Sequence, residues 1–296
     1  MAKIYQLPKL YHPDFAIPNV KPKGPVEIDD NNKIVASNLI DALWVRPAGL
    51  ELRDLKGKYT SPIFNTSTIV ADYLSWTGET TGRGLEYDQR LGAEGDRTIF
   101  VRFRSAYKAS YLAPLLSIRT STSPFDQINL MINGWWSVGA SPTNSSGAIS
   151  IFAIATAAGN HAIGYTGTSA FIENGWNTVA AVLREGDALE LYLNGQQLSI
   201  TTTNVFVPSF SHADDQHTSL GGFGDLASLN VLDGDIESAG ILSTALSPAL
   251  AEELTRNVYQ LTKPAIPLTY FVPAAAPAGG NEPLFYHHQR MLSRCS

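Results

Sequence analysis

At 296 residues the chain is long enough to bury roughly three quarters of its extended surface, and one large β domain with extra segments fits that length as well as two ordinary domains do. A formal net charge of −6 with only 16% charged residues and no dense basic, aromatic track argues against nucleic acid as a partner. The sole cysteine, Cys295, excludes an intrachain disulfide framework. Neither a basic, apolar leader pattern nor an apolar run of transmembrane length is present, so membrane insertion is not expected and synthesis is expected in the cytosol.

Residues 1–30 carry Pro8, Pro13, Pro18, Pro22 and Pro25 among Tyr5, Leu10, Tyr11, Phe15 and Ile17. That is too proline-rich for a helix and too irregular for a central strand. An extended arm is expected, wrapping its own domain or docking on a partner, because its large apolar side chains reward burial. Short apolar runs from Lys33 to Val45, and a β-prone stretch over 59–76 broken by Pro62, suggest early strands; Leu85, Tyr87 and their neighbours suggest another. The alternation becomes clear at 97–104, where Ile99, Val101 and Phe103 share one face. Leu115 to Ile118, Ile128 to Ile132 and Ile149 to Thr156 continue it, with Asn133-Gly134 as a candidate hairpin turn.

The strongest local unit is 171–200. Trp176 to Leu183 reads as a central strand, with Trp176 expected in the core. Leu189, Leu191 and Leu193 alternate with Glu190 and Tyr192, and Asn194-Gly195 supplies a type I′ turn. That turn sets Leu198 opposite Leu191 and Ile200 opposite Leu189. Residues 211–219 read as a polar loop with solvent-facing His212 and His217. Asp233, Asp235 and Glu237 then lie on one side of a strand, expected as a solvated edge. Ser247-Pro248 opens the one convincing helix, to Arg256, with Ser247 as side-chain cap. Residues 262–296 return to proline and alanine with Phe271, Phe285 and Tyr286, a second extended arm. The divisions expected are an arm over 1–30, an all-β sandwich over 31–261 and a tail over 262–296.

Residues 176–195, with Tyr192-Leu193-Asn194-Gly195 as the direct match, resemble the concanavalin A-like, laminin-G-like superfamily. Residues 234–237 and 247–254 look like the closing strand and short helix of that domain. Asn257 to Leu261 with Lys263-Pro264, and Phe271-Val272-Pro273, are similar to the endings of tailed-bacteriophage proteins that carry it. The resemblance implies a jelly-roll sandwich of two antiparallel sheets. It further implies a noncatalytic virion structural or decoration protein, made in the host cytoplasm and held to other virion subunits in a symmetric assembly through its arms. Tyr5, Leu10, Tyr11, Phe15, Ile17, Phe271, Phe285 and Tyr286 are the expected docking residues.

The alternative is a module that binds carbohydrate or a host surface. Trp135, Trp136 and Tyr165 are its candidate contacts, because aromatic rings stack on the apolar faces of sugars. A glycosidase needs two carboxylates at set separations, and Asp235 with Glu237 is the best candidate pair, though its order departs from that of laminarinase-like relatives. No cofactor is implied. Calcium is a candidate ion, with Asp214, Asp215, Asp225 and Asp233 as usable oxygen ligands in no closed pattern.

Overall fold

Period-two alternation makes one face of each strand apolar, and two such sheets bury those faces against each other. The structure, a computed structural model, describes residues 3–6, 25–45, 53–57, 68–70, 73–75, 85–88, 95–106, 112–120, 126–135, 143–155, 160–167, 169–207, 216–223, 231–265 and 269–272. In chain order the strands begin with β1 (Lys3–Gln6), β2 (Val26–Ile28), β3 (Ile40–Val45), β4 (Arg53–Asp54), β5 (Thr68–Val70), β6 (Tyr73–Ser75) and β7 (Leu85–Asp88). Next come β8 (Arg97–Ser105), β9 (Ala113–Thr120), β10 (Gln127–Trp135), β11 (Thr143–Ala155), β12 (Asn160–Tyr165) and β13 (Asn177–Leu183). The rest are β14 (Glu190–Leu193), β15 (Gln196–Gln197), β16 (Thr201–Thr203), β17 (Gln216–Leu220), β18 (Gly234–Leu242), β19 (Thr262–Pro264) and β20 (Thr269–Val272), with helix α1 (Pro248–Arg256) between β18 and β19.

The chain forms two units. One comprises residues 1–12 and 266–296, the other residues 13–265. In the first, β1 pairs antiparallel with β20, setting Ile4 opposite Phe271 and Tyr5 opposite Tyr270. The expected arms therefore meet each other. Leu10, Tyr11, Phe15, Ile17, Phe285 and Tyr286 lie outside the described residues.

In the second unit, seven strands pair in the order β16-β12-β11-β10-β9-β17-β7. The other large sheet runs β15-β14-β13-β8-β18-β3-β4, with β6 also on β18 and β5 on β6. Their inner faces share one core. Ile99, Val101 and Phe103 meet Ile118, Ile128, Leu130 and Ile151 there, and Phe103 packs edge-on against Phe171 at 5.4 Å between centroids. Each such fully buried side chain contributes about 1.5–3 kcal/mol. The described residues thus form an all-β sandwich with one short α-helix.

Helix α1 covers the outer face of the second sheet. Leu254 and Ala251 pack with Phe100, Ala180, Val182 and Tyr192. Asn194 and Gly195 both have positive φ (50° and 86°), as a type I′ turn requires, and Leu198 N–H donates to Leu191 O at 2.8 Å, the expected register. Gly195 N–H also donates to Thr255 Oγ1 on the helix.

Several expectations are corrected. Asn133-Gly134 is not a hairpin turn. β10 runs through it to Trp135 with a break in register after Ile132, and Asn133, at φ 65°, accepts from Gly147 N–H. A positive-φ asparagine marks a bulge as well as a turn. Ser247 makes no side-chain cap; its carbonyl accepts from Ala251 N–H, and Pro248 opens the helix without forfeiting a bond. His217 is in strand β17, not in a loop.

Candidate functional site

Two polar constellations stand on the outer faces of the sheets. The first includes the acidic run. β18 lies between β8 and β3, so Asp235 and Glu237 are on a central strand and buried, contrary to a solvated edge. Glu237 Oε2 accepts from Arg102 Nε at 2.6 Å and Asp235 Oδ2 from Arg104 Nε at 2.7 Å. Trp176, expected in the core, is half-buried with the Arg102 and Arg104 guanidinium carbons 5.4 and 5.1 Å from its ring centroid. Beside it, Asn177 fastens the 172–175 loop by accepting from Ile172 N–H and donating to the carbonyls of Ile172 and Gly175. Both carboxylates are engaged in holding β18 to β8, an arrangement that locks two strands together.

The second constellation is the outer face of the seven-stranded sheet. Strand pairing aligns side chains from distant parts of the chain into cross-strand rows. One row runs Glu86, Ser219, Ser117, Asn129, Phe152 and Ile163, and all six are buried. The adjacent row runs Asp88, His217, Arg119, Gln127, Ile154 and His161, and from His217 to His161 every member is half-buried. The buried row supports the other. Ser117 Oγ donates to Asn129 Oδ1, and Asn129 Nδ2 donates to Gln127 Oε1 at 2.9 Å, which fixes the Gln127 amide. Glu86 Oε1 lies 2.8 Å from His217 Nδ1, and its Oε2 has no hydrogen-bond partner among the described residues. The result is a strip of planar polar groups, imidazole, guanidinium and carboxamide, continuing onto the apolar Ile154.

Tyr165 stands on this same face, half-buried and packed against the Met131, Phe152 and Ile163 cluster. It is paired with Ser150, one row beyond the buried one. Trp135 closes β10 at a backbone position paired with Thr143; Trp136 lies outside the described residues. Trp135 and Tyr165 thus share the sheet, but the half-buried polar row was not singled out from sequence. Its one available signal was Glu86 and Asp88 alternating with Leu85 and Tyr87. Asp214, Asp215 and Asp225 lie outside the described residues, and the Asp233 carbonyl accepts from Ser105 Oγ. Among the described residues no cluster of three or more His, Cys, Asp or Glu is placed to hold a metal ion, and no helix is long and apolar enough to cross a membrane.

No protein-family model matches the sequence, and no curated protein matches it. Among solved structures, a sialidase from Trypanosoma rangeli in complex with sialic acid matches at TM-score 0.51 and 13% identity, over 77% of this chain and 34% of that one. The CBM40 domain of the Ruminococcus gnavus IT-sialidase, bound to α2,3-sialyllactose, matches at TM-score 0.43 and 20% identity, over 60% of this chain and 96% of that one. The leech intramolecular trans-sialidase matches at TM-score 0.45 and 19% identity, over 60% of this chain and 27% of that one. The chain thus spans about a third of the trypanosomal sialidase and about a quarter of the leech enzyme. The trypanosomal match bears on the fold alone.

Proposed function

We propose that this protein is a noncatalytic carbohydrate-binding module whose ligand lies on the outer face of the seven-stranded sheet. The observation that carries this reading is the half-buried row His217, Arg119, Gln127, Ile154 and His161, with the buried Asn129 holding Gln127 and the buried Glu86 2.8 Å from His217. Sugars offer hydroxyls and apolar ring faces together. A ligand site for them needs a few oriented polar groups beside an apolar surface, and this row supplies both. The noncatalytic part is supported by the engagement of Asp235 and Glu237 with arginines. The test is a glycan array probed with the intact protein and with Gln127→Ala and Arg119→Ala. Selective binding that both variants lose while keeping the parent unfolding midpoint supports the reading; binding that neither disturbs refutes it.

A second reading is favoured by one observation, the pairing of β1 with β20. Residues 3–6 and 269–272 form a single ribbon, and a two-stranded ribbon is at best marginally stable by itself in water. In this reading the ribbon attaches the protein to other subunits of a virion, where the sandwich serves as a structural or decoration domain of the laminin-G-like bacteriophage type, repeated by the symmetry of the particle. Cryo-electron microscopy of particles purified with the protein tests it. Ordered ends seated on neighbouring subunits support attachment, and a particle lacking the protein rules it out.

A further inference from the structure

We infer that the glycan bound at this row is an internal stretch of a linear chain, several sugar rings long and lying across the strands, rather than a single terminal sugar. The inference rests on the carbohydrate-binding reading of the same face. The row crosses β17, β9, β10, β11 and β12 without interruption, contributing one half-buried side chain per strand. Neighbouring strands are about 4.8 Å apart, so His217 and His161, separated by four strand spacings, stand roughly 19 Å apart. The two points backed by buried groups are themselves separated. Glu86 lies 2.8 Å from His217 on β17, while Ser117 and Asn129 hold Gln127 on β10, two spacings or roughly 10 Å away. That is wider than one pyranose ring.

A ligand that satisfies both points must therefore contain more than one sugar, and one that also covers Ile154 and His161 must be longer still. The strand spacing is close to the advance of a β-linked glycan per sugar, so successive rings meet successive strands. The chemistry also changes along the row. Charged and amide groups on β17, β9 and β10 suit a hydroxyl-rich edge, and Ile154 on β11 suits a ring face. Three polar side chains in succession followed by the apolar Ile154 make the row unsymmetrical, which gives the bound chain a direction.

The experiment is isothermal titration of the full protein with β1,3- and β1,4-linked glucose and β1,4-linked N-acetylglucosamine series, from monosaccharide to hexasaccharide, with α2,3-sialyllactose as a terminal-sugar probe. The expected result is affinity rising roughly tenfold or more between disaccharide and tetrasaccharide in one series, then levelling. His161→Ala is expected to lose proportionally more affinity for the tetrasaccharide than for the disaccharide, with its unfolding midpoint checked beside it. Affinity independent of length, or sialyllactose binding that outcompetes every series and is lost in Gln127→Ala, overturns this inference and leaves the carbohydrate reading standing. Absence of binding by every probe here and on the array overturns both.

Discussion

His217 and Glu86 meet diagonally across two strands. The Cα partner of His217 is Asp88 and that of Glu86 is Ser219, yet His217 Nδ1 lies 2.8 Å from Glu86 Oε1. Because Glu86 is buried, its position is set by the sheet, and the imidazole lies against it. Glu86→Ala is expected to weaken glycan binding at the proposed row and to destabilise the fold by about 1–3 kcal/mol, the cost of stranding a buried polar partner. Glu86→Gln keeps an acceptor at Oε1 and is expected to retain more of both. Urea unfolding beside array binding measures the two effects. Equal losses in both variants would show that the charge, and not the orienting contact, is what counts.

Arg102 and Glu237 form the most buried ion pair among the described ones, with side chains 10% and 8% exposed. Arg102 also donates to Thr178 Oγ1 at 3.4 Å and lies over the Trp176 ring. Removing one partner leaves a buried charge, so Glu237→Ala and Arg102→Ala are each expected to cost about 3–5 kcal/mol. Arg102→Met combined with Glu237→Leu is expected to recover much of that, since an apolar pair avoids the desolvation both ions suffer. A double-mutant cycle in urea reads the coupling. Single variants that unfold at the parent midpoint would mean that the pair contributes nothing.

What the sequence revealed depended on how far apart the interacting residues stand. The β13–β14–β15 unit was legible because its turn, Asn194-Gly195, and its alternating leucines are contiguous, and the inward set Ile99, Val101 and Phe103 needed only period two. The outward rows were not legible. Glu86 is brought to His217, and Gln127 to Ile154, by strand order, and nothing local encodes which strand lies beside which. Asp235 and Glu237 failed for the same reason: they read as a solvated edge until the pairing placed β8 and its two arginines alongside. Asn133-Gly134 shows the other limit, since positive φ serves a bulge and a hairpin alike.

Gly240 faces the Phe100 ring on the outer side of the β8–β18 pair, and a Cβ there would intrude on Phe100 Cζ and come within 3.2 Å of Ala42 O. Phe100 is itself fully buried under the helix-covered face, so the ring has little room to yield. Gly240→Ala is expected to destabilise by about 1–3 kcal/mol through overpacking. Shortening the ring in Gly240→Ala with Phe100→Leu is expected to cost less than the sum of the two single changes. Additive costs in thermal or urea unfolding would refute this close approach as the reason for glycine.

Tyr87, Tyr192 and Tyr259 all have phenol pKa values pushed above the ordinary range, in each case chiefly by burial. The Glu237 carboxylate adds to the effect at Tyr259, and the bond from Tyr192 to Glu190 adds to it there. In the unfolded chain these phenols ionise near pH 10, while in the folded chain they stay protonated. The unfolded state therefore binds fewer protons above that pH, and stability falls as pH rises. Each phenol contributes a slope of up to about 1.4 kcal/mol per pH unit, present below pH 10 as full stability and lost progressively above it. Urea midpoints taken from neutral to strongly alkaline pH should show this decline. Tyr259→Phe removes one of the three ionisations and is expected to flatten the slope by its share; an unchanged slope would count against the burial of these phenols as its cause.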